Sequence, residues 1–446
     1  MKKRILAAGI LMLMFIVTAC GNDELVETPV VTDISVDENG NPLEGYETWA
    51  TAPDYKSTLI TSSSIRYLSV TAGSLVSEAN LTWFSPSETA GQVFWTSADD
   101  TDFANASVFD ASSSASEEVD GYYINRAKVT DLTPGTDYLY RVGEGDNLSP
   151  SYTFHAPEDS DTLRFTAIGD PQLGKPLDQL DSQKNIWHKV LNKIKHHFPD
   201  SSLLVSLGDQ VNNYDAQEAY AALLDQGVLY SMELAPVKGN HEQGGHQYSE
   251  HFTLPNLSTL GTCDDDGDGD YWFVRGNTLF MILDVIDEAK WGEHEQFIAD
   301  TCAANPDVKW RIVCSHYSPY NSYQDYLENA KRIRPYYLSF TSKYDIDLVM
   351  CGHDHSYMRS NFIQADGSYK EYESPAVNPE GTMYLTLSSS SGSLFHNPTA
   401  QNEAAVAKKL KKPQVTDIQI TDNSLKVKTY EAESWEVVDE FEIQKQ

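Results

Sequence analysis

Five apolar runs in this sequence end in side chains with oxygen or imidazole donors, and this recurrence constrains the fold more than any other feature. The run 346–350 leads into Cys351-Gly352-His353-Asp354-His355. Strand side chains alternate between two faces, and just beyond the strand end the loop can turn both imidazoles to one point. Four earlier runs end in Gly169-Asp170-Pro171-Gln172, Gly208-Asp209, Gly239-Asn240-His241-Glu242 and Ser315-His316. Five strand ends are therefore expected to deliver metal-binding side chains to one rim, as α/β scaffolds do.

Helical patterns separate these runs. Between the first two, residues 185–198 place Val190, Leu191 and Ile194 on one stripe, which predicts an amphipathic helix. Further helices are predicted at 215–225 and 293–303, and closing strands at 383–387, 415–420 and 425–429. Strands that alternate with helices indicate a layered α/β fold.

The donor set also indicates a chemistry. Carboxylate, amide and imidazole ligands suit a pair of metal ions that share one bridging carboxylate. Two ions about 3.5–4 Å apart bind a hydroxide nucleophile and clamp a phosphoryl group, which phosphoester hydrolysis near neutral pH requires. The chain has a net charge of -34, which repels nucleic acid and anionic membranes. A phosphate substrate would therefore depend on the metal ions for local positive charge.

The N-terminal part has a different hydrophobic pattern. At 446 residues and 40% hydrophobic content, the chain is long enough for two or three domains. Short alternating runs between residues 58 and 157 predict a β-sandwich with strands at 65–70, 80–84, 92–96, 124–129 and 138–142. The stretch 132–140 resembles the turn before a late strand of a fibronectin type III domain, and Trp83 is the expected core anchor. We expect a packing and spacer module; ligand binding is the alternative.

The first residues resemble an export signal. Lys2, Lys3 and Arg4 precede an apolar run, 5–17, that is too short to span a bilayer. Residues 17–21 resemble a bacterial lipobox, in which Cys20 is lipidated. We therefore expect a signal peptide over 1–19, an acidic tether over 20–57, and a lipid anchor on the extracytoplasmic face of a bacterial membrane. An ordinary signal peptide with an incidental cysteine is the alternative.

The other cysteines and one acidic run leave alternatives open. Cys314 and Cys351 lie in apolar strands and are expected to be buried thiols, whereas Cys263 and Cys302 could form a disulfide in an exported chain. Residues 264–270 have carboxylates at the spacing of a calcium-binding loop. However, the twelfth position counted from Asp264 is Arg275, where an EF-hand needs glutamate. A solvated acidic turn is predicted, with calcium at Asp264–Asp270 as the alternative.

The order Asp-x-Gln, Gly-Asp, Gly-Asn-His-Glu, His and Gly-His-x-His resembles the calcineurin-like metallophosphoesterase superfamily over residues 160–446. With the fibronectin-like domain in front, the chain looks most like the bacterial branch related to purple acid phosphatases. The resemblance implies a four-layer fold with two mixed sheets flanked by helices. It also implies one metal on Asp170, Gln172, Asp209 and His355, and a second on Asp209, Asn240, His316 and His353. Asp209 would bridge the two ions, and His241 would be the general acid.

Two departures from the family pattern bear on the metals. Purple acid phosphatases place a tyrosine, the source of their colour, where this chain has Asn212, and many relatives have histidine at the position of Gln172. We therefore expect two divalent or mixed-valence transition-metal ions, iron, manganese or zinc, with ferric iron disfavoured. Tyr317 and Arg359 are candidate substrate neighbours. Three histidines near the motif segments are expected to be solvated loop residues, with contact to substrate as the alternative: His246, His251 and His396.

The leading hypothesis is a phosphomonoesterase, similar to acid phosphatases, that acts on a small phosphorylated substrate with a metal-bridging hydroxide as nucleophile. A phosphodiesterase or pyrophosphatase on the same core is the first alternative, since only the loops distinguish the ester types. The second is a surface-binding lipoprotein with an inert phosphoesterase domain. An inert domain would be expected to have lost ligands, and all of the essential positions are present.

Overall fold

The structure is a computed structural model that describes residues 64–261, 268–399 and 401–446. The predicted signal peptide, Cys20, the tether, Cys263 and most of the acidic run 264–270 lie outside these residues. In the described part of the chain, no helix has the length and apolar character that crossing a membrane demands.

The N-terminal domain is a sandwich of two antiparallel sheets. Its strands are β1 (Arg66–Ala72), β2 (Ala79–Ser85), β3 (Gln92–Ser97), β4 (Ser107–Asp110), β5 (Ser112–Ala115), β6 (Tyr123–Val129), β7 (Asp137–Glu144), β8 (Asn147–Leu148) and β9 (Tyr152–His155). The five predicted strands are all present. The sequence did not indicate β4 and β5, because they expose most of their side chains and lack an apolar face. Trp83 is fully buried in the core, as predicted, and Trp95 stacks on Tyr140 with ring centroids 4.9 Å apart.

The second domain alternates strands and helices. Its strands are β10 (Leu163–Ile168), β11 (Leu203–Ser206), β12 (Glu233–Pro236), β13 (Tyr271–Arg275), β14 (Thr278–Leu283), β15 (Trp310–Ser315), β16 (Leu348–Cys351), β17 (Tyr357–Ser360), β18 (Phe362–Ile363), β19 (Tyr369–Lys370), β20 (Ala376–Val377), β21 (Met383–Thr386), β22 (Ala404–Lys408), β23 (Gln414–Ile420), β24 (Ser424–Glu431) and β25 (Val437–Gln444). Its α-helices are α1 (Leu180–His197), α2 (Gln217–Leu224), α3 (Gln247–His251), α4 (His294–Ala304) and α5 (Leu327–Thr341).

Two mixed sheets form the centre of this domain. The first runs β20-β25-β24-β23-β10-β11-β12 and the second β13-β14-β15-β16-β21-β17-β22. In the first sheet β10, β11 and β12 are parallel, and in the second β14, β15, β16 and β21 are parallel. Parallel strands bring their carboxyl ends to the same edge, so each sheet collects its motif loops at one rim.

The side chains of β14 alternate between two hydrophobic cores, and this shows how the sheets and helices are layered. Phe280 and Ile282 belong to the core between the two sheets, whereas Leu279 and Met281 belong to the core beneath α4 and α5. Helices α1 and α2 cover the first sheet from the other side, for example through Trp187. The predicted order of a β-sandwich followed by an α/β domain with two mixed sheets is therefore confirmed.

The two domains share a sheet, which the sequence did not indicate. Strand β1 pairs in parallel with β12 through Thr71 and Leu234, so one face of the sandwich continues the first sheet. Tyr230, from the segment before β12, lies in the sandwich core, and its carbonyl accepts a hydrogen bond of 2.9 Å from the hydroxyl of Tyr140. The sandwich is thus packed into the second domain.

Element boundaries follow the burial of side chains. Helix α1 begins at Leu180, five residues before the predicted start, because its first turn is polar and gives no apolar stripe. Helix α5 was not predicted and contains Pro335. Strand β25 was not predicted either, since its sequence mixes acidic residues into the alternation.

Candidate metal centre

The five predicted motifs lie at strand ends, as expected, but on two sheets. Asp170, Asp209 and Asn240 follow β10, β11 and β12 of the first sheet, and His316 and His353 follow β15 and β16 of the second. The sheets meet at these loops: the backbone of Gly169 bridges to Ser389, which follows β21. One carboxyl-end rim of each sheet therefore contributes to a single site.

Two groups of side chains in this site could each hold a metal ion. Asp209, His316 and His353 form one group, and Asp170, Asp209 and His355 form the other, each with its ligand atoms within 4.8 Å of one another. Asp209 belongs to both groups. This is the arrangement that two ions joined by one bridging carboxylate require.

His316 is oriented so that its second nitrogen needs a cation. Its Nδ1 donates a hydrogen bond to the carbonyl of Leu207 at 2.8 Å. Its Nε2 lies 3.1 Å from Asn240 Oδ1 and 3.2 Å from Asp209 Oδ1. In the neutral ring Nε2 is an acceptor, and three converging acceptors are reconciled only by a proton or a metal ion. The side chain of Asn240, the second predicted ligand of this ion, therefore lies beside His316 Nε2.

Gln172 and His355 supply buried polar atoms that have no partner among the described residues. The amide of Gln172 is fully buried, and within that part of the chain neither its oxygen nor its nitrogen has a hydrogen-bond partner. His355 is almost fully buried, and its Nδ1 also lacks one there. Leaving such groups unpaired costs about 1–3 kcal/mol each, so they are suited to coordinate a ligand. The residues present therefore fit a metal ion on this side of Asp209.

Backbone strain is concentrated at the candidate ligands. Positive φ angles occur at Asp170 (30°), Gln172 (37°), Asp209 (49°), His353 (71°) and His355 (49°). Such conformations cost of order 1–3 kcal/mol each for non-glycine residues and cluster at functional sites. The loops therefore hold these side chains inwards in backbone conformations that lower local stability.

Glycines before the ligands allow the loops to approach each other. A Cβ on Gly239 would lie 2.1 Å from the backbone nitrogen of Asp209. Gly208 has a φ of +93°, and a Cβ there would lie 2.3 Å from His316 Nδ1. In the Gly-Asp and Gly-Asn-His motifs, the residue before the ligand is therefore a glycine because a side chain there would clash with a neighbouring motif loop.

The electrostatics of the centre call for added positive charge. Burial raises the pKa of Asp170 well above its ordinary value, with part of the effect offset by His316. Burial would lower the pKa of His316, but Asp209 and Asp170 outweigh it and raise that pKa to about 10. Burial lowers the pKa of His355 to about 3. These buried carboxylates therefore favour a cation among them, and two metal ions would supply that positive charge.

His241 lies beside this centre without joining either ligand group. Its Nδ1 donates to the carbonyl of Asn212 at 2.6 Å, and its Nε2 is 3.9 Å from Asp209 Oδ2. The side chain is 29% exposed. Glu242, the next residue, holds this loop by accepting hydrogen bonds from the backbone of Gly239 and Val211. His241 therefore presents Nε2 to the open side of the site.

The structure adds aromatic neighbours that the sequence did not indicate. The ring of Tyr326 stacks on His353 with centroids 4.1 Å apart, and Tyr323 stacks on His396 at 3.8 Å. His396 also lies 5.3 Å from His355, so it belongs to the site and is half-buried. Tyr317, a predicted substrate neighbour, is 4.6 Å from His353. The tyrosines lie in a loop without periodicity, where no sequence signal could have selected them.

Arg359, the other predicted substrate neighbour, is engaged elsewhere. It is buried in β17, its Nε lies 2.6 Å from Asp439 Oδ2, and its guanidinium lies over the ring of Phe441. Since Asp439 already neutralises its charge, Arg359 serves the packing of β17 against β25. The structure does not bring it to the metal centre.

Two further expectations differ from the structure. His251 is not a solvated loop histidine, because it ends α3 and is fully buried against Tyr220. Asp268 and Asp270, the described members of the acidic run, are buried against Lys238 and His294 and are not solvated. Each of these groups is placed by long-range packing.

The remaining residues singled out from the sequence are the described cysteines and His246. Cys314 and Cys351 are buried free thiols, as predicted, and Cys302 is also a free thiol, 3.9 Å from Met281 Sδ. Its suggested disulfide partner lies outside the described residues. His246 is half-exposed and lies 3.6 Å from Glu117.

Comparison with protein families gives two matches. Residues 163–357 match the model described as calcineurin-like phosphoesterase. Residues 65–156 match the model described as purple acid phosphatase, N-terminal domain. The two matched regions correspond to the second domain up to β17 and to the sandwich.

Several proteins are similar in sequence. An uncharacterised protein of Mycobacterium tuberculosis is 27% identical over 283 residues, covering 53% of this chain and 51% of the relative. The purple acid phosphatase of Glycine max is 22% identical, with 59% of each chain covered. Acid phosphatase type 7 of Mus musculus is 26% identical, covering 60% of this chain and 64% of the relative. The chain thus spans about half to two thirds of the length of these relatives.

Solved structures support the same fold. The purple acid phosphatase from yellow lupin (Lupinus luteus) seeds superposes with a TM-score of 0.71 at 17% identity, covering 86% of this chain and 75% of that one. The structure of PhoD gives a TM-score of 0.57 at 13% identity, covering 86% and 93%. These likenesses concern the fold alone. The two family matches show that the chain has a calcineurin-like phosphoesterase domain preceded by a domain of the kind found at the N-terminus of purple acid phosphatases.

Proposed function

We propose that this protein is a phosphomonoesterase that uses two metal ions. The observation that carries the proposal is the membership of Asp209 in both candidate ligand groups. The orphaned amide of Gln172 and the converging acceptors around His316 support it independently. When bound, the two ions supply a nucleophilic water and neutralise charge on the phosphoryl oxygens.

The residues of this chain have separate tasks in that reaction. Asp170, Gln172 and His355 would hold one ion, Asn240, His316 and His353 would hold the other, and Asp209 would join them. The carbonyl of Leu207 fixes the tautomer and direction of the His316 ring, which leaves Nε2 free to coordinate.

His241 would protonate the leaving alkoxide. Nδ1 donates a hydrogen bond to the carbonyl of Asn212, so the proton that the imidazolium can transfer is the one on Nε2, which faces the open side of the centre. The backbone nitrogen of His241 also donates to Asp209 Oδ1 at 3.0 Å, which couples the position of the acid to that of the bridge. General acid catalysis of this kind contributes typically 10²–10⁴-fold.

We further propose that the ions are divalent. Asn212 occupies the position where a tyrosine would supply a phenolate, and its side-chain nitrogen donates to Asn213 at 2.9 Å. Gln172 is a neutral ligand, so this site carries less negative charge than one built with an additional carboxylate or phenolate. One Arabidopsis thaliana relative is named an Fe(3+)-Zn(2+) purple acid phosphatase, and the donor set here favours zinc, manganese or ferrous iron over ferric iron.

The test separates metal binding from proton donation. Asp209→Asn removes the shared charge, so metal content measured by elemental analysis should fall together with activity. His241→Ala should keep both metals and lose about 10²–10⁴-fold in kcat on an alkyl phosphate. With an aryl phosphate, whose leaving group needs little protonation, the loss should be much smaller.

His246→Ala is the matched control, because His246 is a half-exposed histidine just beyond the same loop. It should leave metal content and both rates unchanged. Loss of the metals in His241→Ala, or equal losses on both esters, would refute the general-acid role. Faster hydrolysis of a phosphodiester than of any monoester would refute the phosphomonoesterase.

We also propose that the protein acts outside the cytoplasm, held to a membrane by a lipid on Cys20. The support is the sequence alone, a short apolar run followed by residues 17–21 with the lipobox pattern.

A further inference from the structure

We propose that Tyr326 is a positioning residue that holds the imidazole of His353 in place for a metal ion by stacking on it. This proposal rests on the proposed function, because it concerns how strongly one of the two candidate metal sites binds its ion. It predicts that the two ions respond differently when one aromatic ring is removed.

The ring of His353 lacks the hydrogen bond that usually orients a metal ligand. A histidine that binds a metal ion almost always donates its second N–H to a carboxylate, a backbone carbonyl or water, which fixes the orientation of the ring. His316 follows this rule, since its Nδ1 donates to the carbonyl of Leu207 at 2.8 Å. In the part of the chain that the structure describes, neither ring nitrogen of His353 has a hydrogen bond, and its backbone nitrogen donates to the carboxylate of Asp170. Another contact must therefore set the direction of this ring.

Tyr326 supplies that contact. Its ring lies against the ring of His353 with centroids 4.1 Å apart and an angle of 24° between the two planes. Tyr317 and His316 contact the same imidazole in T-shaped arrangements, at 4.6 Å and 5.0 Å. The face of Tyr326 therefore fixes the plane of the imidazole, and the other two rings limit its remaining movement.

The stack also favours the metal-bound form of the imidazole. The face of a phenol ring carries negative electrostatic potential and attracts groups that carry positive charge. An imidazole that donates its lone pair to a metal ion becomes electron-poor, so its attraction to Tyr326 increases on metal binding. Phenylalanine presents a similar aromatic face to the imidazole, whereas leucine and glutamine present none.

The loop that carries Tyr326 is attached to the loop that carries the ligand. Tyr326 directly precedes α5, and the ring of Tyr323 packs against its ring at 5.0 Å. Earlier in this loop, the backbone nitrogen of Ser322 donates to Asp354 Oδ2 at 2.7 Å, and the hydroxyl of Ser322 lies 2.6 Å from that of Ser356. Asp354 is the middle residue of the His-x-His pair. These hydrogen bonds keep the tyrosine in register with the imidazole that it covers.

The test measures metal binding directly, by titrating the metal-free full chain with Mn²⁺. Tyr326→Leu removes the ring and should raise the dissociation constant of one ion about 10–100-fold, the usual effect of losing a residue that orients a metal ligand. The other ion should be held as before, so electron paramagnetic resonance should show a single Mn²⁺ ion at concentrations where the unmodified protein shows a coupled pair. Tyr326→Phe keeps the aromatic face and should bind both ions as the unmodified protein does.

Tyr336→Leu is the matched control, because it removes an exposed tyrosine ring of α5 and should change neither dissociation constant. Tyr326→Gln, which also lacks a ring, should weaken the same ion as Tyr326→Leu, so the result does not depend on the folding of one variant. Unchanged binding in both of these variants, or equal weakening in Tyr326→Phe, would overturn the positioning role. Equal weakening of both ions would overturn it too, because Tyr326 stacks on a predicted ligand of one ion only. Failure of the unmodified protein to bind two ions would instead overturn the proposed function itself.

Discussion

His251 should make the protein lose stability on mild acidification. The side chain is fully buried at the junction of the two domains, where its ring stacks on Tyr220 of α2 at 4.1 Å and contacts Phe84 of β2 at 4.8 Å. Its Nδ1 donates to the carbonyl of Gln247 at 2.7 Å, and its Nε2 has no hydrogen-bond partner in the part of the chain that the structure describes. An imidazolium at this position would be a buried charge next to Arg126.

The size of the stability loss follows from the shift in the pKa of His251. Burial lowers the pKa of His251 from 6.5 to about 3. Between these values the unfolded chain binds a proton that the folded chain rejects, so the free energy of unfolding rises with pH in this window and falls on acidification. The slope is about 1.4 kcal/mol per pH unit, so acidification from pH 6.5 to 5 should remove about 2 kcal/mol.

The assay is urea unfolding at pH 7 and pH 5 of the unmodified protein and of His251→Phe. Phenylalanine keeps a ring against Tyr220 but cannot be protonated, so this variant should lose about 2 kcal/mol less than the unmodified protein between the two pH values. Other titrating groups cancel in this comparison. His196→Phe, at an exposed histidine of α1, should lose as much as the unmodified protein. Parallel losses in all three proteins would refute the reasoning.

Three further predictions concern colour, anchoring and domain structure. Because Asn212 supplies no phenolate, the metal-loaded protein should lack a visible purple band; strong absorbance there that disappears on metal removal would contradict this. Cys20→Ala should release the protein from the membrane fraction or block its maturation, and a normally processed, membrane-bound variant would disprove the lipid anchor. Residues 160–446 expressed alone should show a lower Tm and bind the dye ANS, since they expose Tyr230 and the edge of β12; an unchanged Tm would show that the sandwich adds no stability.

The strands and ligands of the centre were predictable because their signals are local. An apolar run such as 163–168 specifies a buried strand by composition alone, and a glycine followed by aspartate or histidine at its end marks a loop that turns a donor inwards. Five such motifs in a fixed order also sufficed to recognise the family. Each signal lies within about ten residues, the range over which chain geometry is set by neighbouring side chains.

Other features depended on contacts between distant segments. The fusion of β1 with β12, the burial of His251 and the pairing of Arg359 with Asp439 join residues from about 80 to more than 180 positions apart. Periodicity carries no information about such partners. Arg359 was therefore expected in the site, whereas Tyr326, in a loop without periodicity, was not.

The sequence by itself determined which residues could bind metal ions, since donor atoms at strand ends follow from side-chain chemistry and local backbone preference. The family resemblance implied that Asp209 is shared, but only the tertiary structure shows the distances that bring both ligand groups together and the hydrogen bond from His241 to the carbonyl of Asn212. The physical reason is that bridging, orientation and electrostatic neighbourhood are properties of distances between loops of two different sheets, and packing of those sheets sets these distances.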